Sequence, residues 1–336
     1  MIQQAIARLV ERQSLTDGEA EVVMHEIMEG KTTPAQIAAY VTALRIKGET
    51  VDEITGSARA MRAKAMRIRS TATVVVDTCG TGGDGAGTFN VSTTVALVLA
   101  GGGLTVAKHG NRAMTSRCGS ADVLTALGVR VDLPPQRVEE CVNEIGLGFL
   151  FAPMFHTAMK YAAATRQEIG IRTIFNLLGP LTNPAGASIQ ILGVYEESLT
   201  DTLAKVLMNL GARHCYVVHG MDGLDEITLT TRTRITEAKG SRITSYFVDP
   251  GDFGVEPCRL KDLSGGDAAE NVRITRDILE GREGPRQHLV LVNAAPAFVA
   301  AGKAATLYEG VEKARAVIRS GKAMEKLETL IKWTNG

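Results

Sequence analysis

The sequence predicts an α/β protein with a small all-helical N-terminal domain and a larger α/β domain, whose mostly parallel central sheet is flanked by helices. Three observations support this fold class. Residues 1–70 show helical periodicity without a strand pattern, short β-rich runs alternate with helical stretches from Thr73 onward, and glycine-rich or polar segments follow the first two runs. A chain of 336 residues is long enough for roughly two domains.

Four helices are predicted in the first domain, residues 1–70. Apolar residues recur at helical spacing from Ile2 to Val10. Threonines suited to capping mark the starts of the next three helices, at Thr16, Thr33 and Thr50. Helical periodicity returns over residues 154–175, so helices from about residues 155–180 are expected to join this domain. The α/β domain is then expected to span residues 71–336.

Strands are predicted where short apolar runs lie between turn residues, over 74–76, 104–107, 189–194, 215–219, 243–248 and 289–292. Helices are predicted between and after them, over 93–100, 199–210 and 304–319. Strands that alternate with helices imply βαβ units and a parallel sheet. Such sheets bind ligands at the carboxyl ends of their strands.

Composition excludes several classes of partner. Lys+Arg and Asp+Glu both total 37, so the chain lacks the basic excess of a nucleic-acid binder. The longest apolar tracts, near residues 95–107 and 289–301, fall short of a membrane span. The five cysteines form no C-x-x-C pair, which is typical of a reduced cytoplasmic protein. We therefore expect a cytoplasmic location with neither nucleic-acid nor membrane partners.

A glycine-rich segment, D-T-C-G-T-G-G-D-G over residues 77–85, follows the first predicted strand. Its glycines satisfy the G-x-G-x-x-G pattern, but a dinucleotide site also needs an acidic residue after the second strand, where this chain has Lys108-His109. The predicted helix also begins several residues too late for that interpretation. Unencumbered backbone N–H groups beside a helix N-terminus favour phosphate, although a plain strand-to-helix turn remains open.

Two further segments suggest the chemistry of the site. Lys108 to Arg112 and residues 115–120 combine cations, hydroxyls and glycines after the second strand, which suits a second phosphate segment or a solvated loop. Asp225-Glu226 follows the predicted strand that ends at His219, and adjacent carboxylates suit a hard cation such as Mg²⁺. Together, the three segments indicate a site for phosphates and a metal ion.

Six motifs occur in order along the chain: D-T-C-G-T-G-G-D, F-N-V-S-T, K-H-G-N-R, G-S-A-D-V-L-x-A-L-G, R-x-E-I-G-I-R-T-I-F-N-L-L-G-P-L-T-N-P and G-L-D-E. With them, essentially the full chain resembles the anthranilate phosphoribosyltransferase family of tryptophan biosynthesis. The resemblance implies an active-site cleft between the two domains and a homodimer formed through the helical domains. It also implies transfer of the phosphoribosyl group of phosphoribosyl pyrophosphate (PRPP) to the amine of anthranilate.

The resemblance assigns residues to three ligands. The PRPP site would comprise Gly80, Gly83, Asp84, Thr88, Asn90, Val91, Ser92, Thr93, Lys108, His109, Gly110, Asn111, Arg112, Ala113, Met114, Thr115, Ser116 and Ser120. Magnesium, expected as a pair of ions per monomer, would be held by Ser92, Asp225 and Glu226. Anthranilate would contact Gly80, Asn111 and Arg166, with His109, His156, Gly179 and Pro180 beside it.

The resemblance makes Arg166 the expected partner of the anthranilate carboxylate, because a planar guanidinium matches a carboxylate, although a pair with Glu168 or plain solvation of the helix surface remains open. Arg166 lies ten positions after His156 in helical text, close to three turns, so the two are expected to share one helix face. Two other functions remain as alternatives. One is a pyrimidine nucleoside phosphorylase-like enzyme, against which Asn111-Arg112 and Asp225-Glu226 argue. The other is a non-catalytic nucleic-acid-binding paralogue, against which the intact motifs and zero net charge argue.

Overall fold

The computed structural model describes residues 1–83, 85–113 and 117–336; Asp84 and residues 114–116 lie outside the described part of the chain. The N-terminal domain is helical throughout its described elements, as predicted: α1 (Ile2–Val10), α2 (Asp17–Met28), α3 (Pro34–Lys47) and α4 (Val51–Lys64). Thr16, Thr33 and Thr50 each accept a hydrogen bond from the backbone N–H three residues ahead, which confirms the predicted caps of the last three helices.

The larger domain is built on a seven-stranded sheet. Its strands are β1 (Val75–Gly80), β2 (Thr105–Gly110), β3 (Leu147–Phe151), β4 (Ile189–Gly193), β5 (His214–Gly220), β6 (Thr233–Lys239) and β7 (Arg242–Val248). The helices that accompany them are α5 (Val91–Gly101), α6 (Ser120–Ala126), α7 (Pro135–Ile145), α8 (Ala152–Phe155), α9 (Lys160–Ile169), α10 (Ile174–Leu181), α11 (Leu199–Asn209), α12 (Ala268–Leu279), α13 (Pro285–Ala300), α14 (Leu307–Arg319) and α15 (Lys322–Asn335).

The sheet has a topological switch point beside β1, because successive strands are added first on one side of β1 and then on the other. The strand order is β3-β2-β1-β4-β5-β6-β7, with parallel pairing from β3 through β5 and antiparallel pairing across β6 and β7. The chain therefore moves outward from β1 through β2 and β3, then returns to the other side of β1 as β4. At this switch point Gly80 pairs with Gly193 at the carboxyl ends of both strands. Open α/β sheets bind their ligands in this crevice.

Two large apolar clusters cover the two faces of the sheet. One joins the sheet to α5, α6 and α12–α15, and the other joins it to α11, α10 and the N-terminal helices. Two later helices pack on the N-terminal ones: α9 packs against α2 and α3, while α10 packs against α3 and α4. Among the described residues, every helix is too short or too polar to span a bilayer.

One strand prediction was wrong and two strands were missed, and each case has a physical cause. Residues 289–292 lie inside α13, which is buried on most sides, so its continuous apolar run mimics a buried strand. β3 escaped prediction because the run L-G-F-L-F is short and contains a glycine. β6 escaped because its half-exposed face carries charged and polar side chains. Boundaries also moved: β1 continues through Gly80, β2 continues through Gly110, and α5 begins at Val91.

Candidate active site

The carboxyl edge of the sheet is lined by glycines that allow two loops to meet. β1, β2, β4 and β5 all end in glycine. A Cβ at Gly193 would overlap the backbone of Asp225, and a Cβ at Gly80 would meet the Asp225 carboxylate. Residues 221–226, called here the carboxylate loop, therefore fold back from β5 over the ends of β4 and β1. Only strands without side chains at these positions allow that approach.

Residues 81–90, called here the glycine-rich loop, leave β1 beside the carboxylate loop. The Gly82 N–H donates to Oδ2 of Asp225 at 2.8 Å, and the Thr81 N–H donates to the Gly193 carbonyl at 2.9 Å. Gly82 and Gly83 have φ of 69° and 74°, in the left-handed region that favours glycine. Further along the glycine-rich loop, Thr88 forms an isolated antiparallel β-bridge with Ser264. Asp84, an expected PRPP ligand, lies outside the described residues.

The first turn of α5 presents polar groups toward the same edge. Asn90 donates through Nδ2 to the Cys118 carbonyl at 3.1 Å, which ties the glycine-rich loop to the segment after β2. Buried Oδ1 of Asn90 and Oγ1 of Thr93 have no hydrogen-bond partner within the described chain. A buried polar atom left unpaired costs about 1–3 kcal/mol. Oγ1 of Thr93 can donate to an anion at this helix N-terminus, whereas Oδ1 of Asn90 can only accept, for example from a ligand hydroxyl.

Lys108 lies on β2 beneath this helix turn rather than on the following loop. Its buried ammonium donates to the Thr78 carbonyl at 2.5 Å and to Oγ of Ser92 at 3.1 Å. Burial lowers the pKa of Lys108, and the nearby Asp77 carboxylate opposes that effect, with a smaller contribution from Glu226. Lys108 therefore lies in the electric field of two carboxylates, those of Asp77 and Glu226.

The Asp122 side chain bridges two parts of the segment that follows β2. Its carboxylate accepts the Ala113 and Gly119 N–H groups, both at 2.9 Å, and pairs with the Arg112 guanidinium at 2.9 Å. The Asn111 carbonyl accepts a hydrogen bond from Oγ of Ser120 at 3.2 Å. Arg112 therefore already has a carboxylate partner, unlike the free cation that the sequence suggested. Met114, Thr115 and Ser116 lie outside the described residues.

Two histidines face each other behind this segment. The ring centroids of His109 and His156 are 5.1 Å apart, and both side chains are buried. Burial lowers the pKa of His109 to about 3, with a further contribution from His156, and burial lowers that of His156 to about 4. Both rings are therefore neutral at pH 7. Nε2 of each ring lacks a partner within the described chain, so each can donate to or accept from a ligand.

His156 and Arg166 do not share a helix, which corrects the expectation of one helix face. His156 ends the short α8, a 3-10 turn follows, and α9 begins only at Lys160. Arg166 is half-buried, with its guanidinium carbon 5.2 Å from the Phe175 ring centroid, and burial lowers its pKa. No salt bridge joins it to Glu168 in the described structure. Its charge is thus not neutralised by that neighbour.

Sequence reasoning missed the residues that hold the carboxylate loop. Asp222 accepts the Leu224 N–H at 3.2 Å through Oδ1, and its Oδ2 accepts the hydroxyls of Thr228, at 2.6 Å, and Thr230. Asn293 on α13 brackets Ile227, accepting its N–H at 2.8 Å and donating to its carbonyl at 2.9 Å. A lone asparagine within an apolar run was the one available signal for Asn293.

Known proteins resemble this chain over its whole length. A family model described as glycosyl transferase family, a/b domain, matches residues 72–324, and its helical bundle counterpart matches residues 3–65. The anthranilate phosphoribosyltransferase of Geobacter sulfurreducens is 56% identical over 349 aligned positions, covering 100% of both chains. The crystal structure of that enzyme from Thermus thermophilus superposes with a TM-score of 0.94 at 44% identity, covering 99% of both chains.

A third similar structure carries ligands in its description. It is the Saccharomyces cerevisiae anthranilate phosphoribosyltransferase in complex with PRPP and Mg, with a TM-score of 0.89 and 28% identity over 99% of this chain and 98% of that one. The chain belongs to the anthranilate phosphoribosyltransferase family. Membership confirms the resemblance found in the motifs and does not favour the nucleoside phosphorylase and nucleic-acid-binding alternatives.

Three side chains expected at this edge carry oxygen atoms that suit a hard cation. Asp225, Glu226 and Ser92 offer carboxylate and hydroxyl oxygens, and Mg²⁺ prefers one or two carboxylates with its other positions left for water and substrate phosphates. The described residues contain no cluster of three or more His, Cys, Asp or Glu side chains that could enclose a metal on its own.

Proposed function

We propose that the cleft at the switch point transfers the 5-phosphoribosyl group of PRPP to the amine of anthranilate. The products are N-(5-phosphoribosyl)anthranilate and pyrophosphate, so the enzyme is a pentosyltransferase of tryptophan biosynthesis. One observation carries the proposal. The glycine-rich loop, Lys108 and the carboxylate loop lie at the carboxyl edge of the neighbouring strands β2, β1 and β4, where phosphate donors and metal ligands can act on one substrate.

We assign the PRPP site to backbone and side-chain groups around this edge: Gly80, Gly83, Asp84, Thr88, Asn90, Val91, Ser92, Thr93, Lys108, His109, Gly110, Asn111, Arg112, Ala113, Met114, Thr115, Ser116 and Ser120. Loss of pyrophosphate leaves an electron-poor anomeric carbon and concentrates negative charge on the leaving group. Lys108 is buried and already oriented by Thr78 and Ser92, so it can stabilise that charge without reorganising.

Ser92, Asp225 and Glu226 would hold Mg²⁺, and we propose a pair of ions per monomer. When bound, the metal would supply positive charge to the pyrophosphate oxygens. The protein's own part is to hold the two carboxylates at the sheet edge. The Gly82 N–H on Asp225 and the clamp of Asp222 and Asn293 on the carboxylate loop do this before any ligand arrives.

Anthranilate would bind on the helical side of the cleft, with Gly80, Asn111, Arg166, His109, His156, Gly179 and Pro180 around it. Arg166 would pair with the carboxylate, since its half-buried guanidinium has no carboxylate partner in the described chain. An aromatic amine is a neutral nucleophile at pH 7 and needs no strong base. The two neutral histidines suit this, because they can orient the substrate without adding charge.

The assembly and location are proposed on separate grounds. We place the homodimer contact on the helical domain, taken as residues 1–70 with helices from about 155–180, beside the α/β domain of residues 71–336. Exposed apolar side chains occur on that domain, among them Val10, Val22 and Ile46. All five cysteines are free, which fits a reducing cytoplasm.

The deciding experiment follows anthranilate fluorescence with the full-length protein. Fluorescence should change with time only when PRPP and Mg²⁺ are both present, and pyrophosphate should appear in equal amount. Consumption of anthranilate without PRPP, or no reaction with all components present, would contradict the proposal. A parallel assay with a pyrimidine nucleoside and inorganic phosphate should give no free base.

A further inference from the structure

Arg172 lies where the helical side of the molecule meets the glycine-rich loop. It occupies the short connection between α9, which carries Arg166, and α10. Gly170, with φ of 66°, ends α9 in the left-handed conformation and turns the chain toward the sheet edge. Arg172 is half-buried there. It was not among the residues assigned to any ligand.

The Arg172 guanidinium makes two contacts with the α/β domain. Its Nη2 donates to the Gly83 carbonyl in the glycine-rich loop, and its central carbon lies 4.1 Å from the ring centroid of Tyr195. The Tyr195 N–H in turn donates to Oγ1 of Thr81 at 3.2 Å. Arg172, Tyr195 and the start of the glycine-rich loop thus form a closed set of contacts around the switch point between β1 and β4.

The charge of Arg172 is engaged by a ring and a carbonyl rather than by an acid. Within the described residues its guanidinium contacts the Gly83 carbonyl and the Tyr195 ring and forms no salt bridge to a carboxylate. An arginine suits this arrangement better than a lysine does, because its planar fork can stack on an aromatic face while its edge donates to a carbonyl.

The absence of a side chain at Gly83 leaves space for the Arg172 guanidinium. A Cβ built at Gly83 would lie 2.7 Å from Nη2 of Arg172, whereas a Cβ at neighbouring Gly82 would meet nothing within 4 Å. Both glycines have positive φ, so conformation alone does not distinguish them. The difference is that the guanidinium occupies the space beside Gly83.

We propose that Arg172 is a positioning residue that holds the glycine-rich loop in its PRPP-binding conformation by bridging the Gly83 carbonyl and the face of Tyr195. The inference rests on the proposed function, since it assigns the loop to PRPP. Arg172 acts on the backbone of the loop and not on the phosphate charge. Losing it should therefore weaken PRPP binding while leaving the chemistry of bound substrate largely intact.

The test measures PRPP affinity by titration calorimetry in Mg²⁺, together with the KM and kcat of the full-length enzyme. Arg172→Ala should weaken PRPP binding about 10-fold, as expected for a lost charge-assisted hydrogen bond, with kcat at saturating PRPP within about two-fold. Tyr195→Leu should reproduce part of that loss, and Tyr195→Phe should bind PRPP as the wild type does. A direct phosphate contact would instead leave Tyr195→Leu unaffected, which would overturn the proposal.

A double-mutant cycle gives a second readout that does not depend on one variant. Gly83→Ala should weaken PRPP binding more in the wild type than in the Arg172→Ala background, because the added methyl meets the guanidinium only in the former. Additive losses would overturn the proposal. A wild-type enzyme that forms product while Arg172→Ala binds PRPP normally would refute this inference alone. A wild-type protein that forms no product would refute the proposed function instead.

Discussion

The glycine-rich loop and the carboxylate loop leave the same sheet edge, and they are held in opposite ways. In the glycine-rich loop, backbone groups and four positive-φ glycines set the path, and few of its own side chains take part. In the carboxylate loop, Asp222, Thr228 and Thr230 form a side-chain network beneath the two acids. A loop that offers N–H groups to an anion needs open space, whereas one that presents carboxylates needs a scaffold against their mutual repulsion.

The largest effect is expected where the carboxylate loop loses its charge. Asp225→Asn with Glu226→Gln keeps side-chain volume but removes the attraction for Mg²⁺, so turnover should fall about 100- to 1,000-fold. Turnover at millimolar Mg²⁺ measures this, and thermal unfolding should stay near wild type. Asp132→Asn, an exposed acid outside the cleft, is the matched control and should behave as wild type. Retained turnover in the double variant would remove the metal assignment.

The helical side offers a comparison with both loops, because Arg166, the proposed anthranilate anchor, lies on a helix. Arg166→Ala should raise the KM for anthranilate about 10- to 150-fold, the expected cost of one charge-assisted hydrogen bond of about 1.5–3 kcal/mol. The KM for PRPP should change far less. Steady-state kinetics with each substrate varied in turn separates the two. Equal changes in both constants would show that Arg166 does not anchor the carboxylate.

Gly80 tests whether the two loops depend on each other. A methyl group at Gly80 would meet the Asp225 carboxylate, so Gly80→Ala should weaken Mg²⁺ and PRPP binding together, by about 10-fold each. Gly85→Ala, in the glycine-rich loop that follows Gly80, is the control. It has positive φ but no atom within 4 Å of its Cβ, so it should strain the loop without disturbing Asp225. Mg²⁺ and PRPP titrations of both variants decide, and normal Mg²⁺ binding by Gly80→Ala would contradict the link.

The smallest effect concerns stability rather than rate. His109 and His156 are held neutral with pKa values of about 3 and about 4, against 6.5 when exposed. Between the folded pKa values and 6.5, each of these histidines binds more protons in the unfolded chain than in the folded protein. The free energy of unfolding should therefore fall as the pH drops below about 6.5, by up to about 2 kcal/mol per histidine at pH 5.

Urea unfolding at pH 7.5 and pH 5 checks this dependence. His156→Gln should lose part of the difference between the two pH values, whereas His25→Gln, a half-exposed histidine on α2, should keep it. If His156→Gln kept the full difference in unfolding free energy between the two pH values, burial of this imidazole would not be the cause of the lower stability at pH 5.

The sequence predicted the elements whose signals are local, and it failed where tertiary burial decides. Threonine caps predicted α2, α3 and α4 because capping depends on residues three apart. The helix α13 was missed because burial on most sides erases the amphipathic stripe. At the site, motifs located the glycine-rich loop and the acids. Arg172 and Asn293 contact them from distant parts of the chain, and no short-range pattern encodes such contacts.

The packing of α9 and α10 on the N-terminal helices has a consequence for synthesis on the ribosome. The helices α1–α4 emerge first, but α9 and α10, which cover part of their apolar surface, follow roughly a hundred residues later, after β1–β3. At about 5–20 residues per second, that surface stays uncovered for several seconds or more. Nascent chains of this protein should therefore depend on chaperone binding until residue 181 has left the exit tunnel, whereas the caps of the first four helices can form at once.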